Sequence, residues 1–113
     1  MFDRHFPVWP NQVPKQLELP ATNLFHNITV SALRYPDHPA IHYYGSNISY
    51  SELKSEAERL AGYLQKAGVQ AGDRVLLYMQ NSPQYIIGFF AILRANAVVV
   101  PVNPMNRASE LAY

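Results

Sequence analysis

Between Asp73 and Asn103 the chain reads DRVLLYMQNSPQYIIGFFAILRANAVVVPVN, and this stretch leaves few folds open. Its first apolar run, Val75 to Met79, is short and follows a turn at Gly72-Asp73, which suits a strand buried on both faces. Asn81-Ser82-Pro83 then opens a helix, because Ser82 can cap free N–H groups and Pro83 at the first helical position sacrifices no hydrogen bond. The helix body, Tyr85 to Leu93, is apolar on nearly every side, so it is expected to be buried all round. Past Arg94 and Asn96, Val98-Val99-Val100 returns as a second strand whose ladder Pro101 limits. Strand, helix and strand within about 30 residues predict parallel pairing with a right-handed crossover. Fold follows from these residues; chemistry does not.

A chain of 113 residues is one domain at most and can bury one core. With 49% hydrophobic and 15% charged residues it is globular, and a formal charge of +1 with dispersed basic residues argues against nucleic-acid binding. No cysteine occurs, which excludes disulfides, thiol catalysis and thiolate metal sites. Asp3, Arg4 and His5 precede Pro7 and Pro10 with no apolar run between, so the start is no signal peptide and a cytoplasmic location is expected. Asn27-Ile28-Thr29 and Asn47-Ile48-Ser49 match the glycosylation pattern and are read as chance matches. Pro83 to Val102 is long enough to span a bilayer, but Arg94 near its middle would cost roughly 2.5–3.5 kcal/mol, so no transmembrane segment is expected.

Residues 1–20 hold four of the nine prolines without a clear period and read as an extended arm lying over a surface. Phe2, Phe6, Val8 and Trp9 need cover, either from this chain or from a missing domain or second subunit. Residues 21–113 read as an α/β unit, which the resemblance given below implies is incomplete. Thr22 or Asn23 can cap a helix with Leu24, Phe25, Ile28, Ala32 and Tyr35 on one stripe, stopped by Pro36. Ala40–Tyr44 and Asn47–Tyr50 form a hairpin about Gly45-Ser46, of a register the sequence leaves open. Ser49-Tyr50-Ser51-Glu52 is a capping box opening a second amphipathic helix, with Leu53, Ala57, Leu60, Ala61 and Leu64 inward and Lys54 able to pair with Glu58. Gly62 inside it suggests a close backbone approach, and Gly68 ends it in the left-handed conformation. Ser109 to Tyr113 begins another helix.

Candidate chemistry is thin. His38 and His42 are separated by Pro39 and a strand, so they share no helical face as metal ligands, and His5 and His26 have no ligand-spaced neighbours. Gln80-Asn81-Ser82-Pro83 sits where doubly wound folds bind phosphate, but it has no glycine and Pro83 removes a donor, which favours ordinary capping. Asp73 and Arg74 read as a solvated turn pair. No residue is assigned a catalytic, cofactor-binding or metal-binding role.

Taken together, PAIHYYG, ISYSEL, the helix ending at Gly68, GDRVLLYMQNSPQYIIGFFAILRANAVVVPVNP and SELAY resemble the N-terminal part of the large domain of adenylate-forming enzymes. The resemblance runs from about Leu24 to the end, and NPMNRASEL is most similar to medium- or long-chain fatty acid–CoA ligases. Asn96 stands where that family usually has glycine, and asparagine is the next-best left-handed cap. The resemblance implies a parent that activates a carboxylic acid with Mg-ATP, giving an acyl-adenylate and pyrophosphate, and then transfers the acyl group to coenzyme A. It also implies that the phosphate loop, adenine motifs, hinge and catalytic lysine lie downstream, so this stretch binds no cofactor by itself and needs the remainder of the ligase. The other readings are a free-standing interaction module that forms a homodimer through its open strand edge and proline-rich arm, and a small nucleotide-binding protein, against which the missing glycine loop counts.

Overall fold

The computed structural model describes residues 4–112. After a 3-10 turn at Phe6–Val8 the elements run α1 (Phe25–Arg34), β1 (Pro39–Tyr43), β2 (Ser46–Ser49), α2 (Tyr50–Lys66), β3 (Arg74–Tyr78), α3 (Pro83–Arg94), β4 (Val98–Val102) and α4 (Ala108–Leu111). β1 and β2 form an antiparallel hairpin, and β3 pairs with β4 in parallel, from Arg74 opposite Val98 to Tyr78 opposite Val102. The strand–helix–strand unit is therefore present as expected. Pro101 sits opposite Leu77 and the ladder ends one residue later, which suits a proline on a strand that has a neighbour on one side only.

α3 lies between α2 and the parallel pair. One face of it joins Phe25, Ala57 and Ala61 through Ala91 and Ala95; the other joins Leu77 and Ala97 through Ile92. Small residues at these helix contacts let the axes approach closely. Gly88 is the closest approach: a Cβ there would sit 3.0 Å from Leu77 Cδ1, whereas nothing lies within 4 Å of a Cβ at Gly62. The close contact expected at Gly62 thus belongs to Gly88. Gly62 faces open space.

α2 and α3 end in the same way. Gly68 N–H donates to the Gln65 carbonyl and Val69 N–H to the Leu64 carbonyl, while Asn96 N–H donates to Leu93 and Ala97 N–H to Ile92. Both are Schellman closures with a left-handed residue after the cap, Gly68 at φ 102° and Asn96 at φ 59°. They bring Val69 and Ala97 back onto the core in the segments that lead into β3 and β4.

Four further expectations need correcting. β3 is buried on one face only: Val75 and Leu77 point at α3, while Leu76 is 54% exposed, because helices cover a single side of this two-stranded sheet. α3 is buried at Pro83, Gly88, Ala91 and Ile92, but Ile86, Ile87 and Phe89 stay half-buried for the same reason. α1 has no side-chain cap, since Asn23 donates its amide to the Leu93 carbonyl at 3.1 Å and so ties α1 to α3; Leu24 and Tyr35 on its stripe are exposed. The hairpin turn is Tyr44-Gly45, one residue early, with both residues at positive φ as a two-residue hairpin turn requires.

Residues 4–20 carry Phe6 and Trp9 in edge-to-face contact, with His5 and Lys15 against them and Trp9 Nε1–H donating to the Val13 carbonyl at 2.9 Å. Val8, Leu17 and Leu19 are exposed. Phe2 lies outside the described residues.

Candidate functional site

Parallel pairing places the carboxyl ends of β3 and β4 side by side. Ligands of doubly wound sheets bind at such ends. Here the ends open into a crevice of about 520 Å³, a size that suits a small organic ligand. Met79, Gln80 and Asn81 leave β3 on one wall; Val102 to Met105 leave β4 on the other; Tyr85 forms part of the floor.

The two walls are joined by one side chain. Tyr78 Oη donates to the Pro104 carbonyl at 2.7 Å and lies 3.1 Å from that of Asn106. Within the second wall, Asn103 Oδ1 accepts the Met105 N–H at 3.0 Å and the Asn103 carbonyl accepts the Asn106 N–H, which makes residues 103–106 a compact turn.

The start of α3 offers little to an anion. Pro83 has no N–H, the Tyr85 N–H bonds Ser82 Oγ at 3.3 Å, and the Ile86 N–H bonds the Ser82 carbonyl. No charged side chain is among the residues lining the crevice. Capping is what Gln80–Pro83 does, and Mg-ATP does not fit this lining: a triphosphate needs cations or several free donors. No group of three or more histidine, aspartate or glutamate side chains stands together as a metal site among the described residues.

The other candidates have structural duties. Asp73 Oδ2 accepts the Gln70 N–H at 2.8 Å and the Asp73 carbonyl accepts the Val98 N–H, which fixes the turn where β3 begins beside β4. His42 Nδ1 lies 2.6 Å from Asn47 Oδ1 across the hairpin, and His38 stacks on Tyr35. The Glu52 carboxyl is held below the usual carboxylate range by the Ser49 backbone N–H and then by its hydroxyl; it is a capping group. A second groove, about 510 Å³ between α2, β3 and α3, is walled by Leu60, Leu64, Leu76 and Ile87, with Glu56 and Arg59 paired at its rim. It is a packing surface without reactive groups. Sequence reasoning passed over Tyr78 and Met105; the one signal for them was the expected parallel pairing, which sets the segments after both strands next to each other.

These elements, a parallel βαβ unit behind two helices and a hairpin, are the opening part of an α/β domain. Residues 28–113 match the family model described as AMP-binding enzyme, and the chain belongs to that family. It is 39% identical over 105 residues to a long-chain-fatty-acid–CoA ligase of Bacillus subtilis, covering 93% of this chain and 19% of that protein. It is 42% identical over 95 residues to the nonribosomal peptide synthetase penN of Penicillium thymicola, covering 84% of this chain and 3% of that one. Among solved structures, the N-terminal subdomain of Klebsiella oxytoca NpsA in complex with anthranilyl-AMSN superposes with a TM-score of 0.76 at 28% identity, over 79% of this chain and 24% of that one. The chain thus spans about one fifth of the curated ligase it matches.

Proposed function

We propose that this stretch is the N-terminal portion of an AMP-forming acid–CoA ligase that acts on a fatty acid. The observation that supports it is the 39% identity to a long-chain-fatty-acid–CoA ligase across 93% of the chain. The whole enzyme joins the acid carboxylate to the α-phosphate of ATP, with pyrophosphate leaving, and the coenzyme A thiol then displaces AMP from the acyl carbon. Mg-ATP and coenzyme A are bound by residues beyond this stretch. What these residues contribute is the βαβ frame on which the rest of the domain is built.

Residues 1–20 are in this reading an arm laid on the remainder of the ligase, supported by the exposure of Val8, Leu17 and Leu19. In this reading the enzyme works in the cytoplasm. No helix among the described residues is long and apolar enough to cross a membrane.

Acid-dependent exchange of pyrophosphate into ATP by the complete chain tests the first half-reaction, and no exchange with any fatty or aromatic acid overturns the proposal. AMP release that depends on coenzyme A tests the second. Release that instead requires a phosphopantetheinylated carrier protein would make the parent a peptide-synthetase-type adenylation enzyme.

A further inference from the structure

We draw no further inference here: the strongest candidate, the apolar groove of about 510 Å³ between α2, β3 and α3 where Leu76 stays 54% exposed, carries nothing because nothing in the structure shows what covers it.

Discussion

Leu77 packs on the bare backbone of Gly88: its Cδ1 lies 3.0 Å from where a Cβ on that glycine would stand. Leu77 is one of the buried residues of the sheet-side core, so this contact sets how closely α3 can lie on β3. Gly88→Val would drive a branched side chain into it, and overpacking of that kind costs about 1–3 kcal/mol. At Gly62 a Cβ meets nothing within 4 Å, and Gly62→Ala should stabilise α2 by about 0.5–1 kcal/mol through the lost glycine entropy. Urea unfolding midpoints of the two variants should therefore move in opposite directions. Equal effects would mean that the contact with Leu77 does not distinguish Gly88 from Gly62.

Asn96 closes α3 at φ 59°, and its carbonyl accepts the Gly72 N–H at 2.9 Å, so one left-handed residue links the end of a helix to the turn before β3. The bond to Gly72 is made by backbone and survives a change of side chain. Asn96→Ala places a Cβ in the left-handed region without a local polar partner and should cost about 1–2 kcal/mol. Asn96→Gly should be neutral or slightly stabilising. Thermal unfolding of the pair separates the effect of φ from that of the lost amide, because both variants lack the amide and alanine alone bears the strain.

How much of this was legible in the sequence depends on how local each cause is. Ser49 with Glu52, Ser82 with Pro83, and Gly68 act within a few residues, and the structure shows each in its expected role. The sequence points to a turn one residue late because nothing in Tyr44 announces a left-handed conformation; the pairing of Tyr43 with Ser46 imposes it. Asn23 reads as a cap by type, yet its amide is used by a carbonyl 70 residues away. The unbroken apolar run predicts burial of β3 on both faces, and within this stretch the helices cover one face alone. The crevice was hidden for the same reason as Asn23: Tyr78 meets the Pro104 carbonyl only once the crossover has set two distant strand ends side by side.

Ser82 accepts the Tyr85 N–H at 3.3 Å through Oγ, and its carbonyl takes the Ile86 N–H. Ser82→Ala leaves the second bond and removes the first, for an expected loss of about 1 kcal/mol. Ser82→Asp restores an acceptor and adds a negative charge at the positive end of the helix, so it should recover that loss. Calorimetric unfolding of the two variants checks this. A Ser82→Asp protein no more stable than Ser82→Ala would show that the side-chain cap contributes nothing.

The Glu52 carboxylate accepts the Ser49 N–H at 2.8 Å and the Ser49 hydroxyl at 3.0 Å, and these bonds hold its pKa below the usual carboxylate range. In the unfolded chain the group titrates near its ordinary value of about 4.3. As pH falls, the unfolded state takes up the proton first, so the stabilisation is fully present above that value and declines as pH drops through the folded-state pKa. Glu52→Gln keeps a side-chain oxygen for the Ser49 N–H but does not titrate. The gap in unfolding midpoint between wild type and Glu52→Gln should therefore be constant at neutral pH and narrow below about pH 4.3. A gap that stays constant down to the acid limit would show that the carboxylate gains nothing from Ser49 that a neutral amide does not.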